Sequence, residues 1–298
     1  MLRRISVLDA PSNLGLSPPR EGSVPGVYKL AGSLRDAGLV SRLHAFDRGV
    51  LVPPRYRPDA EGGKIRNEDA IVQYSQRLAD RVVPLARSGD LIVLLGGDCS
   101  ILLGAMLALR RMGRYGLVFV DGHTDFRHPG NAATAGAVGA AAGEDLALVT
   151  GRGSLALTQI EGSTPYVRDE DTVAIGSRAD DPCRAEMLGT RIVLIDAGEC
   201  RKEGGANVGR QVARDMGARE ILGYWVHLDA DVIDPELLPA VDAPAPSGLT
   251  FEELEGLLRE LVASPRAVGI DITVFDPDLD EDGSQARRFS DTLVGALT

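Results

Sequence analysis

The sequence predicts an α/β fold built on a parallel sheet that is covered on both faces. Two observations carry this. Short β-branched runs recur along the chain, and several are apolar throughout instead of alternating, the pattern of strands buried on both sides. Between them lie segments with apolar residues at spacings of three and four, so strand and helix alternate to the end.

In chain order the strands read as Ile5–Leu8, Leu91–Leu95, Gly116–Val120, Thr172–Ile175, Ile192–Ile195, Leu222–Leu228 and Ala267–Ile272. The first long helix, Glu68–Arg87, carries Ile71, Tyr74, Leu78, Val82 and Leu85 on one stripe, with Asn67 as its expected N-cap. Ser100–Met112 follows a strand directly. Segment 130–145, rich in Ala and Gly, reads either as a tightly packed helix with a flexible entry or as a loop bordering a pocket. Segment 201–206 reads as a solvated turn before a helix. Thr250 and Glu253 open Thr250–Val262 with a capping-box pattern. No internal repeat or linker interrupts the pattern, so a single domain over residues 1–298 is expected.

The 298 residues carry 32 Lys and Arg against 43 Asp and Glu, a formal net charge of −11. That acidity disfavours nucleic acid and anionic membrane surfaces as partners, because both need a basic face. No run approaches the ~18 apolar residues of a membrane helix. Arg3-Arg4 is followed by a very short apolar run before Asp9 and Pro11, unlike a signal peptide. Three cysteines, an odd number, make no disulfide framework. A cytoplasmic location is the expectation.

The polar residues cluster just after strands. Gly96-Gly97-Asp98-Cys99-Ser100 follows one, Asp121-Gly122-His123-Thr124-Asp125 a second, and Asp229-Ala230-Asp231-Val232-Ile233-Asp234-Pro235 a third. In an open parallel sheet, ligands bind beyond the carboxyl ends of the strands. Cys99, Asp121, His123, Asp125, Asp229 and Asp231 would therefore meet in one crevice. Carboxylates with an imidazole suit a divalent metal such as Mn²⁺, and so many clustered acids repel one another without cations. Two metals about 3.5–4 Å apart would hold a hydroxide nucleophile at neutral pH. Singly, Asp-x-Asp is ordinarily a turn or cap, Gly-Gly-Asp a tight turn, and His123 a core histidine; their joint occurrence at three strand ends is what points to chemistry. Gly96-Gly97 lacks the Gly-Lys-Ser/Thr of a phosphate loop.

Together these motifs resemble the ureohydrolase superfamily of arginase, agmatinase and formimidoylglutamase. The three clusters are similar to its Gly-Gly-Asp-His-Ser, Asp-Ala-His-x-Asp and Asp-x-Asp-x-x-Asp-Pro motifs. Gly176-Ser177-Arg178 with Asp181-Pro182, Gly248-Leu249-Thr250 and Gly269-Ile270-Asp271-Ile272 fit further family segments in the same order. The resemblance implies a three-layer α/β/α fold with an eight-stranded, mainly parallel sheet. It also implies a small-molecule substrate, a homo-oligomer (trimer or hexamer), and a binuclear Mn²⁺ centre whose hydroxide attacks a guanidinium or amidine carbon. Asp121 and Asp229 would bridge the metals, Asp125 and Cys99 would complete one, and His123 and Asp231 the other. Asp125 would also relay a proton to the leaving group.

Three departures from the family pattern matter. Cys99 stands where most members have a histidine ligand; a soft thiolate suits Mn²⁺ poorly, so one metal, or a different divalent metal, becomes an alternative. Val274 stands where arginase-like members place a Glu against the guanidinium; Asp276, two residues on, is the candidate stand-in, or else part of an Asp-Pro turn. Arg127, Ala132 and Thr134 replace residues that hold the amino-acid carboxylate of arginine, and Val138 replaces a family histidine further on. Arg127 and His128 become candidate binders of an anionic substrate end, and Asp181 keeps the position that contacts the substrate amino group or simply forms a turn. The expected enzyme is a metal-dependent hydrolase of linear C–N bonds with a substrate other than unmodified arginine. The alternatives are a mononuclear amidase using Asp121, His123 and Asp229, as in the histone-deacetylase relatives, and a metal-binding regulatory protein.

Overall fold

The computed structural model describes residues 3–58, 65–136 and 139–298. Eight strands form one sheet: β1 (Ile5–Asp9), β2 (Phe46–Val50), β3 (Leu91–Leu95), β4 (Gly116–Val120), β5 (Thr172–Ile175), β6 (Val193–Ile195), β7 (Tyr224–Asp229) and β8 (Ala267–Thr273). Their order is β2-β1-β3-β8-β7-β4-β5-β6, and every pairing is parallel. β1, β3, β4 and β7 are buried along their whole length, and β3 and β4 accordingly read as unbroken apolar runs.

Helices cover both faces. One layer packs Gly205–Ala218, Phe251–Ala263 and Ser284–Leu297 over Val7, Val93, Val226 and Ile270. The other packs Glu68–Ser88 and Ile101–Met112 over Leu8, Leu94, Phe119 and Trp225. The expected three-layer α/β/α architecture is therefore present. Among the described residues no helix is long and apolar enough to cross a membrane.

Local expectations fare unevenly. Thr250 caps Phe251–Ala263 through its hydroxyl while Glu253 reaches back to the Thr250 amide, a complete capping box. Asn67 precedes Glu68–Ser88 but does not cap it. It sits at φ 56°, and its side chain accepts from the Arg57 amide and donates to the Leu14 carbonyl. Residues 201–203 end a helix, Ala197–Glu203, instead of forming a turn. Segment 130–145 is broken into the short helix Ala132–Ala135, a 3-10 turn Ala141–Gly143 and the start of Asp145–Val149. Val138 and the side chain of Thr134 lie outside the described residues.

Candidate metal centre

The carboxyl ends of β3, β4, β7 and β8, neighbours in the sheet, converge on one acidic cluster. Gly97 lets the loop after β3 cross the chain close by: a Cβ there would fall 1.8 Å from the Ser12 carbonyl oxygen. Asp98 then accepts from the Ser12 hydroxyl at 2.7 Å and the Ser100 amide at 2.8 Å, which fixes the turn that carries Cys99 inward. The buried Cys99 thiol donates to Asp229 Oδ2 at 3.0 Å and lies 3.3 Å from Thr273 Oγ1.

After β4, Asp121 accepts from the His123 amide at 2.6 Å. Gly122 runs against the next loop; a Cβ there would sit 2.5 Å from the Asp231 carbonyl oxygen. His123 Nδ1 faces Asp231 Oδ2 at 3.0 Å, and Asp231 Oδ1 takes the Gly122 amide at 3.0 Å. Asp229 accepts the Asp231 amide at 2.7 Å. Asp125 sits at φ 41°, the left-handed region that L-residues seldom occupy, and this turns its carboxylate back over the cluster. The side chain of His123 is 29% exposed, so the cluster opens to solvent on its side.

Burial pushes Asp121 and Asp229 well above the ordinary carboxylate range, and their acidic neighbours push them further. Burial likewise lifts Asp125 to about 7. Burial opposes the charged form of His123, but its bond to Asp231 prevails and carries it to about 9. Such a set is poised for cations. The donor atoms of Asp121, His123 and Asp125 lie within 4.8 Å of one another, as do those of Cys99, Asp121 and Asp229. Asp121 Oδ2 is buried with no hydrogen-bond partner among the described residues. The residues therefore fit a divalent metal, with Asp121, His123, Asp125, Asp229 and Asp231 as its oxygen and nitrogen donors.

The substrate-side candidates are placed differently. The Asp181 carboxylate is occupied by the Thr124 hydroxyl at 2.6 Å, the Thr124 amide at 3.1 Å and the Cys183 amide at 2.8 Å. His128 pairs with Glu186 at 2.9 Å and stands edge-on to Phe126. Arg127 is exposed and makes no salt bridge among the described residues. Asp276 accepts from the Gly26 amide at 3.1 Å and the Asp278 amide at 2.9 Å, capping the turn Pro277–Leu279. Val274 is 3% exposed at φ 68°.

Sequence reading missed three groups. His227, two residues before Asp229 on the same face of β7, is wholly buried, with Phe119 stacked on it at 4.7 Å. Its Nδ1 lies 2.5 Å from Asp271 Oδ2, its register partner on β8. Asp145, which opens Asp145–Val149, brings Oδ2 to 3.7 Å from His227 Nε2. The available signal was the alternation in Trp225-Val226-His227-Leu228-Asp229. Arg178 adds a support: its buried guanidinium donates to the carbonyls of Asp231 at 2.9 Å and Ala245 at 2.6 Å.

Known proteins share this architecture. The model of the arginase family matches residues 28–297. An arginase of Brevibacillus brevis is 28% identical, covering 96% of this chain and 95% of its own length. Human arginase-1 is 26% identical over 98% of this chain and 91% of its own. The native structure of the Bacillus caldovelox arginase superposes with a TM-score of 0.86 at 27% identity, covering 99% of this chain and 98% of that one. With its acidic donors gathered at the carboxyl edge of such a sheet, and a family match over nearly its whole length, the chain belongs to the arginase family of hydrolases.

Proposed function

We propose that the chain is a divalent-metal-dependent hydrolase of linear C–N bonds, acting on an amidine, guanidino or modified guanidino compound other than unmodified arginine. The observation that carries the substrate reading is Val274. At the end of β8, where the resemblance expects a carboxylate for the guanidinium, the chain presents a buried aliphatic side chain. An unmodified guanidinium would lose its ion pair there, while a less basic N-hydroxyguanidine, formimino or acylamide group gives up less.

Asp121, His123, Asp125, Asp229 and Asp231 would hold a divalent metal, which would supply the Lewis acidity to make water a nucleophile at neutral pH. The chain's own groups do the rest. Asp125, turned over the cluster by its left-handed backbone, is suited to pass a proton to the departing amine. Asp181 holds Thr124, and through it the spacing of His123 and Asp125. Arg127, exposed beside this loop, is placed to receive an anionic end of the substrate.

The Cys99 thiol donates to Asp229, and this favours a second reading, with one catalytic metal on Asp121, His123 and Asp229 and an amide as substrate. The test is a screen of Mn²⁺-loaded protein against arginine, hydroxyguanidino, formimino and N-acyl substrates. Turnover of a modified guanidine or formimino compound well above arginine supports the first reading, and preference for the acylamide supports the second. Arginine as the best substrate overturns the substrate assignment, and no turnover of any of them overturns the enzymatic reading.

A further inference from the structure

The acidic cluster has a second, deeper layer that the five outer donors leave unexplained. Asp121 Oδ2, Asp145 Oδ2 and His227 Nε2 are all buried and have no hydrogen-bond partner among the described residues. Asp145 and His227 are 0% exposed and Asp121 and Cys99 1%. His227 Nε2 lies near both of the others, 3.7 Å from Asp145 Oδ2 and 3.9 Å from Asp121 Oδ2. Both separations exceed a hydrogen bond. The Cys99 sulfur joins them, since its donor atom lies within 4.8 Å of those of Asp145 and His227, and likewise of those of Asp121 and Asp229.

We propose that Cys99, Asp145 and His227, with Asp121 as fourth donor, form a closed site for a borderline divalent cation such as Zn²⁺, beneath the open position at His123. His227 Nε2 stands from Asp145 Oδ2 and Asp121 Oδ2 at close to the ~3.3–3.8 Å that bonds of about 2.0–2.3 Å set between tetrahedral donors, and the Cys99 sulfur lies within 4.8 Å of the Asp145 and His227 donors. The ring of His227 is prepared for the role. Its Nδ1 bonds Asp271, which also receives the indole N–H of Trp225, so Nε2 is the nitrogen left with a free lone pair. Phe119, stacked on the imidazole, holds the ring in that plane. One thiolate, one imidazole and carboxylate oxygens are donors that favour Zn²⁺ over Mn²⁺. Binding releases the Cys99 proton and gives the crowded Asp121, Asp145 and Asp229 a counter-charge.

The proposal changes the meaning of Cys99. The replaced histidine is not simply lost, because His227 supplies an imidazole from below. Four buried protein donors leave no coordination place for water or substrate, so the inner cation neutralises and positions, and the open site carries the chemistry. Asp121 joins the two, with Oδ2 turned inward and Oδ1 beside the His123 amide. This assignment does not depend on which substrate is turned over.

The test uses the full chain and reads metal, not activity. Protein loaded with Zn²⁺ and Mn²⁺ is dialysed against a chelator and its metal content measured by plasma mass spectrometry. We expect about one Zn²⁺ per chain to be retained while Mn²⁺ is stripped. The Co²⁺-substituted protein should show a thiolate-to-cobalt charge-transfer band, absent in Cys99→Ser. His227→Gln and Asp145→Asn, both near-isosteric, should lose the retained metal yet still take up Mn²⁺ at the outer donors. Retention of Zn²⁺ by folded His227→Gln overturns the proposal. If the variants do not fold, the wild-type cobalt spectrum decides alone: no thiolate band in folded wild-type protein overturns it.

Discussion

Asp181 receives both the hydroxyl of Thr124, at 2.6 Å, and its amide, at 3.1 Å. Thr124 lies between His123 and Asp125, so one carboxylate outside the cluster sets the spacing of two donors inside it. Outer carboxylates of this kind are worth about 10–100-fold in metal affinity or activity. Asp181→Asn should therefore weaken Mn²⁺ binding and lower kcat by that order while leaving KM for substrate nearly unchanged. Calorimetric Mn²⁺ titration with steady-state kinetics checks this. A raised KM at full metal occupancy would instead make Asp181 a substrate contact.

The acid cluster sets the pH dependence of the metal-free protein. Burial, reinforced by neighbouring acids, raises Asp121, Asp145 and Asp229, and burial raises Asp125 to about 7. Unfolded carboxylates release their protons near pH ~4. Between that point and the folded values the native chain holds more protons than the unfolded one, so stability falls as pH rises. Each retained proton corresponds to about 1.4 kcal/mol per pH unit, or a few degrees of Tm at ~2–4 °C per kcal/mol. The Tm of chelator-treated protein should decline from pH 5 to 8, and divalent metal should flatten the decline. A metal-free Tm that rises across this interval contradicts the account.

Val274→Glu places a carboxylate at the end of β8, at a backbone position already in the left-handed region. It should raise kcat/KM for plain arginine at least about tenfold, equivalent to ~1.4 kcal/mol of added recognition. Metal content should stay constant. A variant that folds, keeps its metal and gains nothing on arginine would remove Val274 as the determinant of specificity.

Arg127 and Asp276 should separate cleanly. Arg127→Ala is expected to raise KM for carboxylate-bearing substrates about tenfold with kcat within a factor of ~2, since it removes a charged hydrogen-bond donor from an exposed position. Asp276→Asn is expected to lower stability by about 0.5–2 kcal/mol, the usual worth of a cap, and to leave kinetics intact. Comparison of substrates with and without an acidic end checks the first, and thermal denaturation with kinetics checks the second.

The sequence reveals this fold where burial and pattern coincide. β3 and β4 are apolar throughout because helices cover both faces, and they read as strands at sight. β2 escapes the same reading because Phe46–Val50 is largely exposed at the sheet edge, and its side chains follow no core. Asn67 has the chemistry of a cap, but its side chain is committed to Arg57 and Leu14, a preference visible only in three dimensions. The outer donors were legible because each strand-end motif repeats a two-residue spacing. His227 and Asp271 were not, because each sits between apolar neighbours, and Asp145 was not, because beside Glu144 it reads as the acidic start of a helix; only the register of β7 against β8 and the return of Asp145 bring them together.

The placing of β8 between β3 and β7 bears on how the protein matures. Cys99 and Asp229 come from strands that β8 separates, and their spacing depends on a segment ending at Thr273. A chain emerging from the ribosome carries every acidic donor long before it has the wedge that spaces them. Until that wedge slides in, Cys99 and Asp229 lack the strand that sets them apart. A complete set of donors therefore exists only in a chain whose last strand has been seated between β3 and β7.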